Sequence, residues 1–312
     1  MEPLRLVVLG GTGFVGRHLV PRLAADGHDI TILSRNRENH RELGVLPRVR
    51  IVSADVHDGR ALTARLHGVD AAINLVGILN EPRDDGAGFR RVHVELTRTV
   101  LGACREAGVP RLLQMSALGA GDGESYYLKS RGEADRLVLD AKLAATIFRP
   151  SVLFGAGDGL FTRFAKLLAV APVLPLARPN AMFSPAYVGD VAEAFARALA
   201  HRATIGRTYE LCGPDTLSLL ELVRWTAKLT RRRRLIVPLP DILGRLQAWV
   251  GEWVPGKPFT RDNFRSLLRD ATGSTDGFAA LGIVATPMRA IVPAELGGDD
   301  PQLAFDRYRA EH

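Results

Sequence analysis

No apolar stretch in the 312 residues approaches ~18, the length a membrane-crossing helix needs, so no transmembrane helix is expected. Cysteine is scarce: Cys104 and Cys212 stand alone, in apolar surroundings. Neither has the neighbours of a metal site or redox pair, so both read as small core residues and no metal is expected. The first strand-like run starts at Leu4, so no signal peptide is expected. A reducing cytoplasm is the expected compartment. Aromatic residues make up only 6% of the chain, and no recognition motif accompanies the net charge of +7, so nucleic acid is not an expected partner. Repeats and low-complexity segments are missing too. What is present, 46% hydrophobic and 24% charged residues, is ordinary for a folded chain of one large or two small domains.

The most informative segment is the opening, Leu4 to Leu9 followed by Gly10-Gly11-Thr12-Gly13-Phe14-Val15-Gly16 and a helix-forming run from Arg17 to Ala25. Strand, glycine turn and helix in that order form a dinucleotide-binding context. Gly10 permits the tight turn, Gly13 lets the backbone approach a pyrophosphate, and Gly16 lets helix and strand pack closely; the helix N-terminus offers free N–H groups. Thr12, Phe14 and Val15 complete the cradle. The second strand, Asp29 to Leu33, ends in Ser34-Arg35-Asn36-Arg37, with no acid until Glu38. A carboxylate there accepts from the ribose 2′-OH of NAD, whereas a guanidinium grips a 2′-phosphate. NADP(H) is therefore favoured over NAD(H), against the plain reading of Arg35 as a solvated surface residue.

Further strand-like runs at Arg50–Val52, Ala71–Val76, Arg111–Met115 and Ala145–Phe148 alternate with helical stretches that include Val92–Ala107 and Ser130–Ala141. The alternation predicts an α/β fold, a doubly wound parallel sheet of Rossmann type, with ligands beyond the carboxyl ends of the strands. Asp55, Val56, Leu75, Val76, Gly77, Pro150 and Val152 stand at such ends and join the candidate cofactor contacts. Beyond about residue 155 prolines crowd and the rhythm breaks. Residues 1–155, with 186–205 returning, are assigned to the dinucleotide-binding domain, and 156–185 with 206–312 to a smaller, partly interleaved lobe shaping the substrate pocket.

Ser116 ends the fifth strand, and Ser125-Tyr126-Tyr127-Leu128-Lys129-Ser130-Arg131 opens the next helix. With the glycine turn, Asn74-Leu75-Val76-Gly77, Arg149-Pro150-Ser151 and Val188-Gly189-Asp190, these residues resemble the short-chain dehydrogenase/reductase superfamily in its extended or atypical, epimerase/dehydratase-like branch. The resemblance implies Tyr127 as acid/base, Ser116 as holder of the substrate carbonyl, and a lysine four residues after the tyrosine to bind the nicotinamide ribose. Here that place holds Arg131. Residues i and i+4 share a helix face, so Arg131 can approach Tyr127, while Lys129 points away and Tyr126 has only Ser130 as its i+4 partner. A guanidinium stabilises a tyrosinate but does not release a proton.

Asn74 to Leu79, Ser116 to Ala120, Tyr127 to Ala134, Leu211 to Pro214, Pro255 to Phe259 and Arg261 to Asn263 resemble a narrower group. These are the bacterial relatives of the nucleotide-binding alpha-subcomplex accessory subunit of respiratory complex I. That resemblance implies a bound reduced dinucleotide near quinone or lipid. Two functions stay open: an NADP(H)-dependent oxidoreductase or epimerase-like enzyme on a hydrophobic quinone- or lipid-like substrate, or a non-catalytic NADP(H)-holding module of a membrane-associated assembly.

Residues 224–269 carry eleven basic residues against three acids, which accounts for the whole charge excess. Ile242, Leu243, Leu246, Trp249, Val250, Trp253 and Val254 recur there at helical spacing. Such a stripe usually faces a protein's own core, and that reading comes first. The other is an amphipathic helix on an anionic membrane surface, which would place the protein peripherally at the inner membrane face.

Overall fold

The computed structural model describes residues 2–273 and 276–296. Seven parallel strands form one sheet in the order β11-β6-β5-β4-β1-β2-β3. They are β1 (Arg5–Leu9), β2 (Asp29–Ser34), β3 (Val49–Ser53), β4 (Ala71–Asn74), β5 (Arg111–Met115), β6 (Ala144–Pro150) and β11 (Thr208–Leu211). The central strands are apolar on both faces because helices cover both. Leu6 and Val8 face a core shared with α1 (Phe14–Ala25) and α7 (Val188–Ala200). Val7 and Leu9 face a second core with α2 (Gly59–Leu66) and α4 (Leu96–Ala107), against which α5 (Tyr126–Asp140) packs through Val138. The order reverses between β1 and β4, and the crevice at that switch point is where such sheets bind ligands.

The helix read as Val92–Ala107 begins earlier. A short turn, α3 (Ala87–Phe89), runs through a π-helical segment over Arg90–Glu95 into α4. Gly108, left-handed at φ 71°, ends α4.

In the second lobe, β8 (Val173–Ala177) and β13 (Leu235–Leu239) pair in parallel. Leu174 and Leu176 pack on α6 (Phe161–Val170) and α8 (Leu219–Leu229), and Ala177 packs on α9 (Asp241–Gly251). A Ser218–Glu221 capping box starts α8, and a Thr260–Asn263 one starts α10 (Arg261–Ser266). The two-residue pairs β7 (Leu153–Phe154) with β10 (Ala186–Tyr187), and β9 (Met182–Phe183) with β12 (Leu217–Ser218), stitch the lobe together. The chain then forms α11 (Gly277–Ala280) and α12 (Met288–Leu296).

Two assignments change. Strand β11, placed in the second lobe by the boundary at 206, pairs with β6 at the edge of the large sheet. Phe278 of α11 and Ile283 belong to the first-lobe core, because β11 needs cover on its exposed face. The assigned end of the second lobe, 297–312, lies outside the described residues. The other change concerns α9: its stripe of large apolar residues does not face the core. Gly244, Ala248 and Gly251 are the residues it buries, while Ile242, Leu246, Trp249 and Trp253 are exposed.

Candidate functional site

The β1–α1 turn is built from backbone. Gly10 has φ +76°, a region glycine adopts without penalty, and a Cβ there would sit 3.0 Å from the Leu75 carbonyl carbon and Val76 nitrogen. A Cβ on Gly16 would overlap the Gly11 backbone. Gly13 is different. Its φ of −76° and ψ of −179° suit any residue, and a Cβ would meet only Gly10 O, at 3.2 Å. Conformation does not require glycine at 13 and the one close neighbour is a carbonyl oxygen, which fits a glycine kept for the close approach of a ligand at the start of α1. Thr12 lies in the turn, where its carbonyl accepts from Arg17 Nε at 3.2 Å. Phe14 stacks edge-on against His18, and Val15 packs on the core.

Along the same edge, Ser34 is buried with Oγ accepting from the Asn36 N–H at 3.3 Å, and Arg35 is exposed. Asp55 Oδ1 accepts from the His57 N–H at 3.0 Å, with Val56 partly buried beneath. Leu75 and Val76 pack on opposite cores and lead to Gly77. Pro150 and Val152 bracket the end of β6, where their carbonyls accept from Leu118 N at 2.9 Å and Ala186 N at 2.9 Å.

Helix α5 begins at Ser125, whose Oγ accepts from Leu128 N at 3.0 Å. Tyr127, Arg131 and Asp135 follow one another at four-residue spacing on one face. The Tyr127 ring packs edge-on against Phe89 and His93, and the Arg131 guanidinium carbon lies 5.6 Å from the ring centroid. Arg131 is buried: Nη1 donates to Met115 O at 3.0 Å, Nη2 presses on Gly77, where a Cβ would overlap it, and Nε has no hydrogen-bond partner. A buried, partly unpaired cation at the ends of β4 and β5 fits a ribose hydroxyl of a nicotinamide dinucleotide.

Ser116 directly follows β5 and the Met115 carbonyl that Arg131 bonds. Its buried Oγ makes no well-formed hydrogen bond, and it lies near the Asp135 carboxyl, whose pKa it helps to lower. Asp135 Oδ1 is also without a well-formed hydrogen bond. Desolvation dominates and raises the Asp135 pKa above the usual carboxylate range, against Ser116 and Arg149, whose Nε donates to Asp135 Oδ2 at 2.8 Å. No hydrogen bond joins Ser116 to Tyr127 among the described residues.

His93, in the π-helical segment, is a residue that sequence reasoning missed. Its Nε2 accepts from Ile78 N at 3.3 Å, so Nδ1 carries the proton and donates to Ser130 Oγ at 2.8 Å. Ser130 in turn donates to Tyr127 O at 2.8 Å. Burial, and then the charge of Arg131, push the His93 pKa down to about 2, so the ring is neutral. The signal available was a histidine in an apolar helical run facing the Tyr127 turn.

Asp262 of α10 reaches the same helix, α5. It is buried, and its two oxygens accept from the backbone N–H groups of Tyr126 at 2.7 Å and Tyr127 at 3.2 Å. The second lobe therefore holds the first turn of the tyrosine helix, satisfying donors a helix leaves open. Arg265 bonds Asp262 at 3.1 Å, pairs with Asp84 and lies 4.8 Å from the Tyr126 ring centroid. Lys257 Nζ donates to Pro82 O at 2.6 Å and Asn263 Nδ2 to Leu79 O at 3.3 Å, pinning the loop after β4.

Comparison with known proteins agrees with this architecture. The family model for the NAD dependent epimerase/dehydratase family matches residues 6–212. The chain is 30% identical over 295 residues to the rat (Rattus norvegicus) NADH dehydrogenase (ubiquinone) 1 alpha subcomplex subunit 9, mitochondrial, covering 90% of this chain and 76% of that protein. It is 30% identical over 247 residues to the ceramide reductase of Caulobacter vibrioides, covering 76% and 74%. Among solved structures, a dTDP-glucose 4,6-dehydratase from Streptomyces venezuelae with NAD bound shares the fold at TM-score 0.75 and 21% identity, over 94% of this chain and 95% of that one. With the glycine cradle, the switch-point crevice and the tyrosine helix all in place on that matched span, the chain belongs to the NAD dependent epimerase/dehydratase family.

Proposed function

We propose that the chain holds NADP(H) along the carboxyl edge of the sheet and, with Tyr127 as proton donor, reduces a carbonyl of a hydrophobic lipid- or quinone-like substrate. The observation that carries this reading is the stacked pair of Tyr127 and Arg131 at the ends of β4 and β5. The absence of an acid at the end of β2 supports NADP(H) over NAD(H). Ser34 and Arg35 stand there, and the next acid along the chain, Glu38, pairs with Arg37 at 2.9 Å. The ceramide reductase and a 2-alkyl-3-oxoalkanoate reductase of Stenotrophomonas maltophilia, 27% identical over 247 residues, support a hydrophobic carbonyl substrate.

When bound, a reduced nicotinamide supplies hydride to the carbonyl carbon. Tyr127 gives its hydroxyl proton to the carbonyl oxygen, completing an alcohol, and Arg131 stabilises the resulting tyrosinate. The guanidinium keeps its own proton at working pH, so Tyr127 is recharged from water and not through residue 131. Ser116 reaches a substrate oxygen only by turning away from Asp135.

One observation favours a second reading: Arg131 stands in the lysine's place, and Ser116 makes no hydrogen bond to Tyr127. A site so arranged holds a dinucleotide without turning it over, as an accessory module of a membrane-associated assembly, in keeping with the relative named as a complex I subunit. Mass spectrometry of the copurified nucleotide, followed by addition of long-chain ketones and quinones, separates the two. NADPH consumption that disappears in Tyr127→Phe supports the reductase. Reduced NADP that stays bound and unoxidised favours the holding role, and NAD in its place overturns the cofactor assignment.

A further inference from the structure

Helix α9 turns its small residues inward and its large ones outward. Gly244, Ala248 and Gly251 meet the lobe: a Cβ on Gly244 would lie 2.9 Å from the Phe264 ring and 3.0 Å from Ala177 Cβ, and one on Gly251 would overlap Phe259 O. That face has no room for anything larger, so the helix cannot rotate to bury its other side. The outer face carries Ile242, Leu246, Trp249 and Val250, and the turn after the helix adds the exposed Trp253 and Val254. Ile242 is 81% exposed and Trp253 77%.

The surroundings give the stripe a charge. Gln247 Nε2 donates to Pro175 O at 2.8 Å and Ala248 packs on Ala177, so α9 lies against β8, whose first residue, Val173, pairs with Leu235. Both of those residues are exposed, and Arg232 and Arg233, exposed as well, stand three and two residues before Leu235. Arg245 is exposed on α9 itself, its guanidinium carbon 5.6 Å from the Phe264 ring centroid. Asp241 at the start of α9 and Glu252 just after its end are already paired, with Arg178 at 3.1 Å and Arg261 at 2.9 Å. An apolar stripe with two tryptophans and a cationic rim matches the boundary between acyl chains and anionic headgroups. A second copy of the chain would bring like-charged rims together.

We infer that α9 lies on an anionic lipid bilayer, with Trp249 and Trp253 at the headgroup–acyl boundary and Arg232, Arg233 and Arg245 on lipid phosphates. The docking surface is separate from the dinucleotide crevice, and the inference does not depend on the proposed reaction. The test is flotation of the purified full chain with phosphatidylcholine vesicles, with and without about 30% phosphatidylglycerol, at low and high salt. Two of the three tryptophans are on this face, so emission reports the docking directly. Expected are binding to the anionic vesicles only, weakened by salt, with a blue shift of emission. Trp249→Ser with Trp253→Ser abolishes binding. Arg232→Gln with Arg233→Gln weakens it about thirtyfold, and neither pair shifts the melting temperature, since all four side chains are exposed. Failure to float with anionic vesicles at low salt overturns the proposal, as does undiminished binding by both variants. A concentration-dependent dimer that becomes monomeric in the tryptophan variant also overturns it, and reassigns the stripe to self-association.

Discussion

Replacing Gly13 by alanine separates a glycine kept for a ligand from one kept for the fold. Its backbone conformation is open to alanine, and the new methyl meets a single carbonyl oxygen at 3.2 Å, which must give by a few tenths of an ångström. That cost opposes the gain from restricting the unfolded chain, so the ligand-free variant should keep its stability to within about 0.5 kcal/mol. The methyl projects where a pyrophosphate would meet the first N–H groups of α1. Losing one charge-assisted hydrogen bond there costs about 1.5–3 kcal/mol, or about ten- to hundredfold in Kd. Gly16→Ala is the contrast, because its Cβ overlaps the Gly11 backbone and destabilises the protein with or without nucleotide. Denaturant unfolding without ligand and calorimetric titration with NADPH read the two effects separately. Normal NADPH affinity in Gly13→Ala, or a ligand-free loss of stability matching that of Gly16→Ala, would refute the reasoning.

Other outcomes follow from the same geometry. Asp262→Asn should lower stability by about 1–3 kcal/mol in denaturant unfolding, since one oxygen shared by a backbone N–H and Arg265 becomes an amide donor. An unchanged midpoint would remove Asp262 as the anchor of α5. His93 stays neutral to about pH 2 when folded, while its unfolded pKa is 6.5, so between those values the unfolded chain binds the extra proton and stability rises with pH. His93→Asn should flatten that dependence below pH 6 by up to about 1.4 kcal/mol per pH unit, measured as unfolding free energy against pH. Burial pushes the Cys104 thiol up to about 12 and Cys212 to about 11. Both should resist a thiol reagent at pH 8 in the native protein and react only on unfolding; rapid native labelling would contradict this.

The parallel sheet was legible because β1 to β6 are short apolar runs separated by helix-length spacers, and the glycine spacing placed the crevice. Strand β11 was recognised as a strand, but its partner was not. Pairing with β6 depends on cover from Phe278, some seventy positions later, which no local pattern announces. The π-helical segment was hidden inside a regular helical periodicity, and His93 with it. For α9 the large apolar residues set a stripe but not its direction. The deciding signal was the complementary stripe of Gly244, Ala248 and Gly251, small enough for close approach to Ala177 and Phe259. Ser116 was legible as a strand end, whereas the facing of its hydroxyl toward Asp135 depends on packing of α5 that the sequence does not encode locally.

The way β11 and α11 return to the first lobe bears on how the chain must acquire its structure. The large sheet gains its last strand only after the chain has passed through β7 to β10, and the core gains Phe278 only after α8, α9 and α10 are made. Neither lobe is a continuous piece of polypeptide. A fragment ending near residue 155 would present β6 as a bare sheet edge and leave its core uncovered, a template for association with other chains. The two lobes are therefore expected to fold and unfold in one slow transition dominated by contacts distant in sequence, and to withstand cutting at their boundary poorly.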